Sequence, residues 1–244
     1  MSNPSVSIIV PAYNEAGNIT GAVHSVLRAA TAVNVDVEVI VVDDGSTDAT
    51  YLTVVHNVTD ARACITRHTE NAGLRAAYET GLSLATMPYV GFVPGDGEMA
   101  YESIVEILKA VGTTDLLIPY HGTPERRPWF RRLLTWVSTQ QLNVFLGHDL
   151  RYYQSPVVYP TDLARRLPRT EDGFFFVTEM LAYALEADPS YVEIPLVHQE
   201  RRYGASKAVS LKAIWRAQML ILRLFWRLRV RTAFQALGFA LEHR

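Results

Sequence analysis

The feature that most constrains this chain is an alternation: short β-branched runs, each stopped by a polar loop, separated by stretches of helical periodicity. Residues 6–10 form one such run, ended by Pro11, and residues 37–42 form another, ended by Asp43-Asp44-Gly45-Ser46. Between them Ile19, Val23, Val26, Leu27 and Ala30 recur at three and four, which predicts a helix over 17–31. The alternation continues with a helix over 47–58, a strand over 63–66, a helix over 72–85, a strand over 89–93 and the loop Pro94-Gly95-Asp96-Gly97-Glu98. Beyond it the pattern predicts helices over 101–111, 129–146 and 174–187, with strands over 115–120, 157–159 and 191–197. Strands alternating with helices imply an α/β chain with a mostly parallel, doubly wound sheet. Such sheets bind ligands outside the carboxyl ends of their strands.

The chain of 244 residues, 49% of them hydrophobic, can bury one large α/β core or two small ones. Its net charge of −2 supplies no basic field to recruit nucleic acid. The single cysteine, Cys64, can form neither an internal disulfide nor a cysteine metal cluster, and a reducing, intracellular setting is expected. Stretches 80–95 and 133–148 lack charged residues but fall short of the roughly 18 apolar residues of a membrane span, so no transmembrane helix is expected. Residues 1–4 show neither the basic nor the apolar region of a secretory leader.

Three loops at strand ends bring carboxylates to one rim: Glu15; then Asp43, Asp44 and Asp48; then Asp96 and Glu98. Their mutual repulsion calls for a cation or a donor-rich ligand. Mg²⁺ or Mn²⁺ typically takes one or two carboxylates plus substrate phosphate oxygens, and Asp96-x-Glu98 can aim two side chains at one ion. The plainer reading of Asp44, Ser46 and Asp48 is that they cap the following helix.

Val10-Pro11-Ala12-Tyr13-Asn14-Glu15, Val42-Asp43-Asp44-Gly45-Ser46-Thr47-Asp48, Asn71-Ala72-Gly73 before an alanine-rich helix, and Gly95-Asp96-Gly97-Glu98 stand in an order and spacing that resembles family 2 glycosyltransferases of the GT-A fold. Glu193-Ile194-Pro195 followed by Arg201-x-x-Gly204-x-Ser206-Lys207 is similar to the polyprenyl-phosphate branch of that family, dolichol-phosphate mannose synthase being its type. The resemblance covers most of residues 5–207, and implies a catalytic domain over 1–206 and a basic amphipathic helical segment over 207–244.

It further implies that Pro11, Tyr13, Glu15 and Gly95 line the nucleotide sugar, that Val41 and Asp43 meet the base and ribose, and that Asp96 is the main metal ligand. The branch usually reads Asp-x-Asp-x-Gln after the fourth strand, whereas here Pro94 stands at the first Asp and Glu98 at the Gln. Asp96 and Glu98 are the metal ligands left by that departure. The arginine that meets the acceptor phosphate aligns with Trp136, which leaves Arg131 or Arg132 to serve instead, or to be solvated helix-start residues. Arg201 and Lys207 suit the acceptor phosphate or the donor diphosphate, Arg bidentately and Lys as a point charge.

A lipid monophosphate is already ionised and needs no base, unlike a sugar hydroxyl. The resemblance therefore implies a metal-dependent, inverting transfer of a hexose, mannose or glucose first, to a polyprenyl monophosphate, with Asp96, Arg201 and Lys207 carrying the catalysis. Glu179 falls where some relatives present an acceptor-side acid, the alternative being a partly exposed helix glutamate. The rival readings are a family 2 transferase acting on a saccharide hydroxyl, and a lapsed nucleotide-sugar-binding subunit marked by Pro94.

Residues 200–244 carry a net charge of +8 against −10 over 1–199. From 206 to 232, Arg216, Arg223, Arg227 and Arg231 share a helical face, Ile214, Leu220, Ile221, Leu224, Phe225 and Leu228 another, and Trp215 and Trp226 lie near the boundary. Basic, aromatic amphipathic helices lie in membrane interfaces, so peripheral contact with the cytoplasmic face of a membrane is expected. The alternative is that the helix packs on its own domain with solvated arginines.

Overall fold

The computed structural model describes residues 3–122, 129–197 and 211–230. Its centre is a five-stranded sheet of order β3-β2-β1-β4-β6, built from β1 (Ser5–Ala12), β2 (Asp36–Asp43), β3 (Ala63–Arg67), β4 (Tyr89–Phe92) and the short β6 (Tyr159–Pro160). The first four run parallel and β6 pairs antiparallel with β4. Both faces of β1 and β2 are covered, which is why they read as continuous apolar runs.

Successive side chains go to opposite cores, as the period of two requires. Ile8, Val10, Val39 and Val41 pack on one face with α1 (Ile19–Val33) and α4 (Tyr101–Lys109). Ile9, Ile40, Val42 and Phe92 pack on the other with α3 (Leu74–Leu84) and α7 (Phe175–Leu185). The remaining helix of the first half is the short α2 (Thr50–Asn57).

Two differences from the sequence reading stand out. The strand expected over 157–159 is reduced to Tyr159–Pro160, with Val158 making an isolated bridge to Leu117. It leads into a six-residue helix, α6 (Thr161–Arg166), too short between its flanking prolines for periodicity to reveal. The strands β5 (Leu116–His121) and β7 (Tyr191–Leu196) pair with each other in parallel as a separate ribbon instead of widening the main sheet.

After the ribbon strands come α5 (Trp129–Leu146) and α8 (Leu211–Phe225), the latter running into a π-helical turn at Trp226–Val230. Leu220, Ile221, Leu224 and Leu228 are buried in the same core as Phe176 and Leu181 of α7, so α8 and the turn after it pack on the body of the fold. Arg223 pairs with Glu171 at 2.6 Å, Arg227 lies 3.9 Å from Glu179, and Arg229 lies 3.7 Å from Glu186. Arg229 also donates to the carbonyls of Phe145 and Leu146 at the end of α5, where a helix favours cations. No described helix is long and apolar enough to cross a membrane.

Candidate active site

Because β2, β1 and β4 are neighbours, the loops that leave their carboxyl ends lie side by side, with the two outer strand ends about 10 Å apart. The loop after β1 is tied to the loop after β2 through Asn14, which sits in the left-handed region at φ 57°. Its amide donates to Ser46 Oγ at 2.9 Å, and its Oδ1 accepts from the Thr47 amide at 2.8 Å. The Glu15 amide donates to Thr50 Oγ1 at 2.8 Å, and Asn18 Nδ2 donates to Glu15 Oε2 at 2.7 Å. Ser46 therefore bridges the loops instead of capping α2, whereas Asp48 does receive the Thr50 amide, at 2.9 Å.

Asp43, the last residue of β2, is wholly buried. Its Oδ1 accepts from the Ser46 amide at 3.0 Å. Its Oδ2 lies 3.1 Å from Arg67 Nε yet has no hydrogen bond of good geometry among the described residues, so it retains an acceptor lone pair. Arg67 also donates to the Ser46 carbonyl at 2.8 Å and lies over the Tyr51 ring. Arg67 stands apart from the acids that end the neighbouring strands, and no motif in the sequence marks it. The signal was position alone: Arg67 closes a parallel strand at the rim where ligands bind.

Asp44 turns the other way and supports the loop before α3. It accepts from the amides of Ala72 at 2.9 Å and Gly73 at 2.8 Å, and its Oδ1 meets His68 Nδ1 at 2.8 Å. The other ring nitrogen of His68 bonds Thr80 Oγ1 at 2.9 Å. Gly45, at φ 68°, lets this loop approach: a Cβ there would stand 2.3 Å from the Glu70 carbonyl carbon.

The loop after β4 runs on beside β1, with the Val93 and Gly95 amides donating to the carbonyls of Ile9 and Pro11. Gly95 is buried against Ile19, Pro11 and Ala12, each within 3.1 Å of where a Cβ would be, so it is a close-approach residue that delivers Asp96 to the end of β1. The Glu98 amide donates to Asp96 Oδ1 at 3.0 Å, folding the two acids into one turn. Among the described residues no group of three His, Cys, Asp or Glu side chains could hold a metal ion. Two carboxylates completed by substrate phosphate oxygens remain a donor set suited to Mg²⁺ or Mn²⁺.

Of the residues expected to line the nucleotide, Tyr13 is 43% exposed at the rim, Glu15 is half-buried beside it, and Pro11 is buried within β1. Val41 is wholly buried in the core between β2 and α1, which leaves it no surface for a base. Arg132 is exposed on the first turn of α5, and its neighbour Arg131 occupies the same turn. Arg201 and Lys207 lie outside the described residues. Glu179 is neither a partly exposed helix residue nor an available acid. It is 1% exposed and accepts from Thr170 N at 2.6 Å, Thr170 Oγ1 at 2.7 Å and Glu171 N at 3.1 Å, fixing the loop before α7.

Residues 7–167 match the family model "Glycosyl transferase family 2". The chain is 30% identical over 220 residues to the polyprenol monophosphomannose synthase of Mycolicibacterium smegmatis, covering 82% of this chain and 79% of that one. It is 25% identical over 215 residues to the undecaprenyl-phosphate 4-deoxy-4-formamido-L-arabinose transferase of Proteus mirabilis, covering 86% of this chain and 64% of that one. In fold it is similar to glucosyl-3-phosphoglycerate synthase from Mycobacterium tuberculosis, solved with Mn²⁺, UDP and glucosyl-3-phosphoglycerate, at TM-score 0.64 and 16% identity over 92% of this chain and 79% of that one. Staphylococcus aureus TarS 1–349 with UDP-GlcNAc matches at TM-score 0.63 and 18% identity over 92% of this chain and 67% of that one. The mostly parallel sheet with its acidic rim is the GT-A fold, and the chain belongs to glycosyl transferase family 2, a glycosyltransferase of the polyprenyl-phosphate sugar transferase branch.

Proposed function

We propose that this enzyme transfers a hexose, mannose or glucose first, from a nucleotide diphosphate sugar to a polyprenyl monophosphate, with inversion at the anomeric carbon. The observation that carries the reading is Glu179: its carboxylate is spent on three hydrogen bonds within its own chain and is not free to deprotonate an acceptor. A phosphate monoester needs no such base, because it arrives ionised. The relatives named for polyprenol and undecaprenyl phosphate support the same acceptor class.

The rim divides the work. Tyr13 offers an exposed ring for the base, and half-exposed Arg67 borders the same rim, held by the carboxylate of Asp43, which is wholly buried and leaves no surface of its own for a direct contact. Asp96 and Glu98 would hold Mg²⁺ or Mn²⁺ on the diphosphate, where the metal stabilises the charge of the departing nucleotide. Arg201 and Lys207 would meet the anionic acceptor from the segment after β7, and Arg131 and Arg132 from the start of α5. The acceptor oxygen attacks the anomeric carbon as the bond to the diphosphate oxygen breaks, and the nucleotide diphosphate leaves with that electron pair.

Peripheral membrane contact belongs to the same proposal, through a different surface from the basic one. Arg223, Arg227 and Arg229 face carboxylates of the protein, while Trp215, Leu222 and Trp226 form an exposed stripe on α8 and its π turn. Trp129, Phe130, Leu133 and Trp136 are exposed on α5. Tryptophan-rich apolar faces of this kind lie in the membrane interface. The function is tested by incubating the protein with Mn²⁺, a panel of GDP- and UDP-sugars and a short polyprenyl phosphate. A glycolipid found by mass spectrometry supports the reading and names the donor. Donor hydrolysis with no glycolipid from any donor contradicts it.

A further inference from the structure

The loop that leads into α7 lies beside the end of β4: Phe174 meets Phe92, the last residue of that strand, with ring centroids 6.2 Å apart. The loop after Phe92 carries Asp96 and Glu98, so residues 170–174 border the turn where the metal and the donor's sugar are proposed to sit. Of the acids in and after this loop, Glu179 is spent on Thr170 and the Glu171 amide, and Glu171 pairs with Arg223 at 2.6 Å. Asp172 differs from both. Its side chain is 78% exposed, and its partner among the described residues is Arg75, whose Nε donates to its Oδ1 at 3.4 Å.

Arg75 reaches Asp172 from another element. It stands on the first turn of α3, whose start is fixed to the end of β2 by the bonds from the Ala72 and Gly73 amides to Asp44. Its Nη1 donates to Glu79 Oε1 at 3.1 Å, one helical turn on, and Arg169 Nε lies 3.8 Å from the same oxygen. Two guanidiniums thus balance two carboxylates, with Arg75 as the cation between Glu79 and Asp172. An ion pair this exposed adds little to stability. What it changes is the charge met by a ligand at the rim: without Arg75, Asp172 would stand there as a bare anion and a proton acceptor.

We infer that Arg75 is the positioning residue that sets the acceptor class: paired with Asp172, it cancels the charge that would repel a phosphate and occupies the carboxylate that would otherwise serve a hydroxyl. The inference rests on the polyprenyl-phosphate reading for its ligand and adds how the enzyme favours that acceptor over an alcohol. With Arg75 removed, a hydroxyl oxygen attacks the anomeric carbon, its proton passes to Asp172, and the nucleotide diphosphate leaves with the electron pair of the broken bond.

The test begins with binding, which needs no donor. Geranylgeranyl phosphate in detergent is titrated against the tryptophan fluorescence of the full chain, with geranylgeraniol as the uncharged control. Arg75→Ala should bind the phosphate about tenfold more weakly and the alcohol as before, the scale of one uncompensated charge near a phosphate at a protein surface. Adding Asp172→Asn should restore the affinity, Arg75→Lys should keep it, and the melting temperature should move little in all three. With Mn²⁺ and UDP-glucose or GDP-mannose, Arg75→Ala should also raise donor hydrolysis and transfer to geranylgeraniol relative to transfer to the phosphate, a rise that Asp172→Asn cancels. Unchanged phosphate affinity in Arg75→Ala, or a loss that Asp172→Asn does not repair, overturns the inference. Function and inference fail separately: a parent that glycosylates the alcohol as readily as the phosphate contradicts the function, whereas a phosphate-selective parent whose selectivity survives Arg75→Ala contradicts the inference alone.

Discussion

Arg67 and Asp43 close two neighbouring strands at directly paired positions, with Arg67 Nε 3.1 Å from Asp43 Oδ2 and the carboxylate wholly buried while the guanidinium is half-exposed. The pair gives the buried carboxylate a cationic partner at the carboxyl-end rim of the sheet. Arg67→Ala should cost about 2 kcal/mol in urea unfolding, less than a fully buried pair because water reaches the arginine. If the rim binds the donor as proposed, with the base beside this pair, the same variant should raise the donor KM more than it lowers kcat. Equal losses in both constants would place Arg67 in the chemical step.

Asp96 and Glu98 share one turn, and Asp96 Oδ1 also holds the Glu98 amide. Asn at 96 keeps that acceptor and removes the charge, so Asp96→Asn should fold normally yet lose about a hundredfold in kcat/KM, the scale of removing one charge-stabilising group from a transition state. Glu98→Gln should shift the Mn²⁺ requirement upward with a smaller loss. Metal titration of activity in both variants checks this, and an unchanged metal midpoint in each would move the ion elsewhere.

Glu38 joins β2 to the entry of β4. Burial raises its pKa, but hydrogen bonds from Ser7, Thr86 and Met87 more than offset this and hold the carboxyl below its ordinary value of 4.5. A depressed carboxylate stabilises the fold above its unfolded pKa and loses that contribution as pH falls through the folded value. Glu38→Gln should thus lower the melting temperature at pH 7, with the gap to the parent closing below pH 4.5. A gap that is constant with pH would mean the side chain acts through packing alone.

Trp215 and Trp226 face outward where Arg223 and Arg227 face Glu171 and Glu179. Replacing both tryptophans with Ser should remove co-sedimentation with neutral phosphatidylcholine vesicles and leave the melting temperature nearly unchanged. Replacing both arginines with Ala should do the reverse. Binding that follows the arginines and the anionic lipid content would restore the electrostatic reading of this helix.

The sheet was legible because β1 and β2 are buried on both faces, and continuous Val and Ile runs ended by acids leave few alternatives. The β5–β7 ribbon was not, since parallel pairing between strands so far apart in sequence leaves the same local pattern as a sixth strand in the main sheet. The placement of Asp43 at the end of β2 and of Asp96 in the loop after β4 was legible, because each follows a short apolar run. Arg67 and Asn14 were not, because one gains its meaning from register with Asp43 and the other from a left-handed backbone that places its amide oxygen over the next loop. Arg223 and Arg227 read as part of a basic, membrane-facing stripe until Glu171 and Glu179 are brought opposite them. Glu179 misled in the same way: only tertiary structure shows that its acceptors are spent on Thr170 and Glu171.

The most direct test of the central claim compares a short polyprenyl phosphate with the corresponding polyprenol as acceptors, with the same donor, Mn²⁺ and detergent. The account predicts a glycosyl phospholipid from the phosphate and no glycoside from the alcohol, because Glu179, the acid considered for the acceptor side, is held by Thr170 and Glu171. Transfer to the alcohol, or to a saccharide hydroxyl, at a rate matching or exceeding that of the phosphate would contradict it.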